Sequence, residues 1–178
     1  REALDALRET KTPWERVRPG RTFRLDGVQL TVLAPDSSWT ASQRDANETS
    51  VVLRVDYGLH RLLLTGDAEA EEEAWLVAQQ GVGALDVDVL KLGHHGSRTS
   101  STATLLDAAT PLLAIASVGA GNRYGHPSPE TLAALMARGV PVFRTDTDGT
   151  VIVQTDGRTL QVMAGGEQWQ IPQEDRVP

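Results

Sequence analysis

The chain has 178 residues, 40% hydrophobic and 23% charged, which fits one globular domain and excludes a disordered or fibrous protein. Cysteine is absent and the net charge is −7, which excludes disulfides, thiolate metal sites and the basic stripe by which a module grips duplex DNA through lysine and arginine alone. No stretch approaches the roughly 20 apolar residues needed to cross a bilayer, and residues 1–10 are charged and helix-forming, unlike a signal peptide.

Residues 3–10 read as a short amphipathic helix, with Leu4 and Leu7 at helical spacing. TFRLDGVQLTVLAP follows, two β-type runs around Asp26 and Gly27 that signal a hairpin. Residues 35–49 are polar and turn-rich and read as an exposed loop. A second hairpin turns at Gly58, between SVVLRVDY and HRLLLTG, and His60 within it reads as a surface residue beside Arg61. Residues 68–80 predict a helix with acidic first turns that closes at Gly81. VDVLKLG predicts a strand, residues 100–109 a helix, and LLAIASVG a buried strand. Ser128 and Pro129 open another helix as N-cap and first helical residue, and it closes at Gly139. PVFRT, TVIVQT and TLQVMA complete the sheet, and residues 165–178 read as a polar, frayed tail. Hairpins, strand–helix repeats and a closing meander together predict a mixed sheet with helices packed on it, α/β or α+β-like.

Polar residues cluster where three apolar strands end, the positions at which α/β proteins bind ligands. Asp67 follows Leu64, Thr65 and Gly66; it reads either as a metal-binding carboxylate or as the N-cap of the next helix. His94 and His95, half of the chain's four histidines, stand between Gly93 and Gly96. On an extended chain adjacent side chains point to opposite sides, so one of the two would face a metal and the other would face substrate or support the ligand. Ser117, Val118 and Gly119 lead into a glycine-rich loop bearing Asn122, Tyr124 and His126, just before a helix N-terminus that suits an anion such as phosphate. With no thiolate available, a metal would be held by His, Asp and Glu.

TGD, KLGHHGS and SVGAGNRYGHP, with DANETSVVLRV upstream, run in the same order as in the metallo-β-lactamase-like domain of ComEC-type DNA-internalisation competence proteins, which the chain resembles from about residue 45 to 157. The resemblance implies a metallo-β-lactamase αββα sandwich, a site for two divalent metal ions (manganese or zinc), and hydrolysis of phosphodiester bonds by a nuclease that degrades the DNA strand not imported. It also implies a membrane channel domain in the same parent polypeptide, with this domain on the outer face. By the same correspondence Asp67 bridges the metals and His95 or His94 is the last histidine ligand. His95 is favoured because related nucleases place that histidine two residues before a serine, as His95 stands before Ser97. Asn122, Ser117, His94 and Ser97 would face the substrate, and Asp67 and His126 would act in catalysis. Asn47 and Ser50 match a family motif that normally reads Asn-Asn-x-Ser, except that Glu48 stands at the second asparagine.

The family draws most of its metal ligands from an HxHxDH motif, and the sequence contains none. Residues 1–164 are therefore expected to form the C-terminal portion of such a domain, inactive alone, with the HxHxDH half upstream as its partner. Two other readings use the same residues: a hydrolase of a phosphodiester other than DNA, and a degenerate module that binds without catalysis.

Overall fold

Alternation of apolar residues sorts the strands into two layers. The computed structural model describes residues 2–172. Strands β1 (Thr22–Leu25), β2 (Val28–Ala34), β3 (Val52–Tyr57) and β4 (His60–Leu64) are antiparallel neighbours, and β5 (Val89–Lys91), β6 (Leu113–Ala116) and β7 (Val142–Arg144) extend the same sheet in parallel from β4. The seven strands lie side by side in chain order. Strands β8 (Ile152–Thr155), β9 (Leu160–Ala164) and β10 (Glu167–Ile171) form a separate antiparallel meander. Among the described residues no helix is long and apolar enough to cross a membrane.

The helices are α1 (Glu2–Glu9), α2 (Ser37–Ser42), α3 (Ala70–Gln80), α4 (Val82–Leu85), α5 (Ala103–Ala109) and α6 (Pro129–Met136). Parallel crossovers take one hand, and β4 to β7 advance in a single direction, so α3, α5 and α6 all fall on one face of the sheet. Leu63, Leu90 and Ala114 point from the strands into that layer against Leu76, Leu105, Leu106 and Leu135. Their neighbours Leu62, Val89, Leu113 and Ile115 point the other way, against Val153, Leu160, Val162 and Ala164 of the meander. The result is a helix layer, a seven-stranded sheet and a three-stranded sheet, with a core in each gap. Each fully buried leucine contributes on the order of 1.5–3 kcal/mol of transfer free energy.

Two carboxylates on α3 lie in the helix-side core with no exposure, Glu72 and Glu73. Glu72 Oε2 accepts the Ser50 N–H at 2.9 Å, and Glu73 accepts those of Ser101 at 2.5 Å and Thr102 at 2.8 Å. Burial, assisted by the charge of Glu48, pushes Glu72 up to about 8 and Glu73 up to about 7.

Several expectations are corrected. Residues 35–49 are not an open loop. Asp36 caps α2 by accepting the Trp39 N–H at 2.6 Å, Trp39 stacks on Trp75 of α3 at 5.4 Å, and its indole N–H donates to the Glu48 carbonyl at 2.5 Å. A large apolar ring within reach of a partner outweighs the polar composition around it. His60 is buried at 1% exposure, with Nδ1 3.7 Å from Asp88. The β8–β9 turn closes over its hairpin, where the Leu59 N–H donates to the Gly157 carbonyl at 2.8 Å. The expected polar tail contains β10, in register with β9, and Trp169 of β10 packs on Phe143 at 5.1 Å. Alternation of Trp169 and Ile171 with glutamines turns a polar-looking segment into an edge strand with one apolar face. Residues 173–178 of that tail lie outside the described residues.

The raised carboxyls make stability depend on pH. A Glu whose folded pKa lies above its unfolded value near 4.5 binds more protons in the folded state, so its contribution is complete below about 4.5 and is lost as pH rises through the folded value. The urea midpoint is expected to fall between pH 5 and 8.5, by an amount on the order of a few kcal/mol in stability. Glu72→Gln should flatten this slope and raise the midpoint at pH 8.5 relative to the unsubstituted protein. An unchanged slope in the variant would refute the assignment.

Candidate active site

Because β4, β5 and β6 are parallel, their C-terminal ends lie at one edge of the sheet, and residues 65–69, 92–101 and 117–128 converge there. Asp67 leaves β4 just after Gly66. It is not the cap of α3: the helix begins at Ala70 with Glu69 at its N-cap and no side-chain bond from that residue. The helix N–H groups are satisfied from a distant segment, where Glu48 accepts those of Glu71 at 3.3 Å and Glu72 at 2.6 Å. This explains the departure at Glu48 from the asparagine of the related motif. A buried carboxylate there is a stronger acceptor for a helix N-terminus than an amide. Asp67 is left with its side chain about half exposed, and its own N–H donates to Ser50 Oγ at 3.1 Å.

The histidine pair occupies a tight turn rather than an extended chain. His94 (φ 43°) and His95 (φ 59°) are both left-handed, a conformation that non-glycine residues adopt at some cost and that concentrates at functional sites. Close packing holds the turn in place. A Cβ on Gly93 would sit 2.7 Å from the Ala68 carbonyl oxygen, and one on Gly96 would sit 2.6 Å from Pro127 Cβ. The turn separates the two rings. His95 Nδ1 lies 2.6 Å from the Ser117 carbonyl, and its Nε2 is 3.8 Å from Asp67 Oδ1. His94 Nδ1 lies 2.6 Å from Glu69 Oε1. Since a carbonyl only accepts, Nδ1 is the donor in that contact, which leaves Nε2, the nitrogen nearer Asp67, as an acceptor. Two acceptors at that separation, a ring nitrogen and a carboxylate oxygen, leave room for a cation between them.

His126 stands beside His94, its ring edge-on at 5.5 Å, and stacks on Tyr124 at 5.8 Å. Its Nδ1 is buried with no hydrogen-bond partner. Burial holds the imidazole below its usual pKa, and the nearby His94 and His95 act in the same direction. Asn122 grips the same residue through the backbone: its Nδ2 donates to the His126 carbonyl at 2.8 Å and its Oδ1 accepts the His126 N–H at 3.0 Å. An open depression of about 480 Å³ is lined by His95, Ser117, Asn122, Tyr124, His126 and Thr145.

Of the expected residues, Asp67 and His95 are brought together, and His94 and His126 stand beside them. Ser117 contributes its carbonyl and an exposed side chain at the depression. Ser97 is buried, and its hydroxyl pairs with Thr99 at 2.8 Å. Asn122 spends its amide on the loop that carries His126. Asn47 donates to Glu69 at 3.4 Å, and Ser50 supports Asp67.

Sequence reading missed Glu69 and Lys91. Glu69 was counted among acidic residues of a helix start, yet it is the partner of His94; the signal was a carboxylate at an N-cap whose capping role another residue fills. Lys91 Nζ donates to the Gly66 carbonyl at 2.9 Å, and burial lowers its pKa while the charge of Asp67 raises it. Among the described residues no group of three or more histidines and carboxylates is gathered closely enough to hold a metal ion.

A carboxylate and three histidines at the ends of adjacent parallel strands, beside an open depression, define an α/β protein with a polar strand-end site. No family model matches the chain. Over most of its length it is similar to bacterial competence and recombination proteins. It is 36% identical to ComE operon protein 3 of Bacillus subtilis across 83% of the chain and 18% of that protein. It is 41% identical to competence protein ComA of Neisseria gonorrhoeae across 72% of the chain and 18% of the relative. It is 36% identical to recombination protein 2 of Haemophilus influenzae across 75% and 16% respectively. The chain thus spans less than a fifth of the length of these relatives.

The histidine turn has a direct test. Gly96→Ala combines a positive φ of 82° with the contact to Pro127, and should lower stability by about 1–3 kcal/mol. Denaturant melts of the variant check it, and an unchanged midpoint would show that the turn is free to relax.

Proposed function

We propose that the chain forms part of a metal-dependent phosphodiester hydrolase of the metallo-β-lactamase type that acts as a nuclease in bacterial DNA uptake, degrading the strand that is not imported. The observation that carries this reading is the Asp67–His95 pair, with the imidazole Nε2 3.8 Å from the carboxylate and the other ring nitrogen held by the Ser117 carbonyl. Metal-ligating histidines are oriented in this way by a partner on their other nitrogen. The separation also suits two ligands of one divalent ion, each about 2.0–2.2 Å from it. Similarity to proteins named for competence supports the place in DNA uptake.

Asp67 and His95 would hold divalent metal, manganese or zinc. Bound divalent ions supply charge to polarise phosphate oxygens and to lower the pKa of a water molecule. The rest falls to the protein. His126 and His94 stand where phosphate oxygens would approach, and Asn122 keeps His126 in place. A positioned hydrogen-bond donor of this kind is worth about 2.7–4 kcal/mol of barrier.

Two ligands do not complete a dinuclear site, and the remainder would come from another part of a longer polypeptide that also carries a membrane channel. The face of β1 to β4 opposite the helices supports this. It presents Phe23, Leu25, Leu30, Leu53, Val55 and Leu64, of which Phe23, Leu25 and Leu64 are exposed. The apolar core beneath the meander draws on β4 to β7, and β8 is an edge strand of the meander. A further β layer on that face would continue the existing sheet-on-sheet packing.

Asp67→Asn and His95→Ala, placed in the complete parent domain, should lower hydrolysis of single-stranded DNA with manganese or zinc by at least about a thousandfold. The melting temperature should stay within a few degrees, because both side chains are half exposed. Metal content per chain, read by elemental analysis, should fall in parallel. Wild-type turnover in Asp67→Asn would sink the assignment.

A further inference from the structure

We infer that Tyr124 is a stacking platform for an unpaired nucleobase, which holds the bound strand with little preference for base identity. The inference rests on the phosphodiesterase reading above and specifies its substrate. Tyr124 is 81% exposed, yet it is not a loose surface ring. One face lies against His126 at 5.8 Å with the ring planes 17° apart. The loop beneath it is fixed by both hydrogen bonds from Asn122 to the His126 backbone. Beyond His126, the Ser128 N–H donates to the Gly96 carbonyl at 2.8 Å, tying the loop to the histidine turn. The aromatic plane is therefore presented in advance, with its outer face open.

The rings are also ordered in space. His95 faces Asp67, His94 lies 6.2 Å from His95, His126 lies 5.5 Å from His94, and Tyr124 stacks outermost. A phosphate held near His95 and His126 would leave its attached base within reach of the open tyrosine face. Arg123, exposed and adjacent in the loop, offers a cation for the neighbouring phosphate. An aromatic plane beside a cation is the combination by which proteins hold single strands: every base has a π-face, so stacking tolerates any sequence. A base inside a duplex is already stacked on its neighbours and does not offer that face, which selects for unpaired strand.

The test is binding, read by fluorescence anisotropy with manganese present, of a labelled oligothymidylate, an abasic oligonucleotide of the same length, and a duplex. Tyr124→Ala should weaken oligothymidylate binding by roughly five- to a hundredfold and leave abasic binding unchanged, while Tyr124→Phe retains the affinity. Because the ring is exposed, the variants should melt like the parent protein. An equal loss for the abasic strand, an unchanged affinity for oligothymidylate, duplex binding as tight as that of the single strand, or no oligonucleotide binding at all would each overturn the inference. Binding needs no turnover. Tyrosine-dependent binding with no hydrolysis by the complete parent domain would therefore remove the phosphodiesterase reading alone, and hydrolysis by that domain without tyrosine-dependent binding would remove this one alone.

Discussion

The loops of the site hang on carboxylates buried in and around α3. Glu72 holds the backbone of Ser50, whose hydroxyl in turn takes the N–H of Asp67. Glu73 holds Ser101 and Thr102, where the segment that follows the histidine turn enters α5. Glu48 reaches in from outside and satisfies the N-terminus of the same helix. Burying acidic groups costs free energy unless they are hydrogen-bonded; here Glu72 Oε2 and both oxygens of Glu73 accept loop N–H groups, Glu48 accepts two from α3, and Glu72 Oε1 has no partner. Their placement ties two segments, residues 48–50 and 101–102, to one rigid element. The exposed groups at the strand ends can then be few and still be well positioned.

The site follows from where that frame leaves polar atoms. His94 and His95 occupy left-handed backbone, and the turn persists because Gly93 and Gly96 admit the Ala68 carbonyl and Pro127 into van der Waals range. The turn sends one imidazole to Asp67 and the other to Glu69. Each ring meets an acceptor through Nδ1, which leaves Nε2 as the nitrogen directed at chemistry. His126 enters from the next loop and completes a row of rings leading outward to Tyr124.

Similarity to competence and recombination proteins extends through these loops, and it also locates the chain within much longer relatives. The large sheet is covered unevenly. The meander covers one portion of the seven-stranded sheet, while the face of β1 to β4 still carries apolar side chains at the surface. Glu48 shows how a change within a recognisable motif can be absorbed. The residue that differs from the expected asparagine caps a helix, and its neighbours Asn47 and Ser50 still reach the site.

Sequence alone determined the order of strands β1 to β9 and of helices α1, α3, α5 and α6, both hairpins, the mixed α/β class and the strand-end positions of Asp67, His95 and His126. These follow from local rules: hydrophobic period, turn residues, and caps such as Ser128 before Pro129. Tertiary structure decided whatever depended on partners far along the chain. His60 looked like a surface residue because nothing near it in sequence reveals Asp88 beside it or the β8–β9 turn bonded to its hairpin at Leu59. Residues 35–49 looked like an open loop because Trp75, on which Trp39 stacks, lies beyond them. The last residues looked like a tail because only pairing with β9 and packing on Phe143 make them a strand. The two histidines likewise diverged through positive φ angles that close packing imposes, where an extended chain would have parted them by simple alternation. Local sequence encodes what each segment can become, and the energy of burial and hydrogen bonding between distant segments selects among those possibilities.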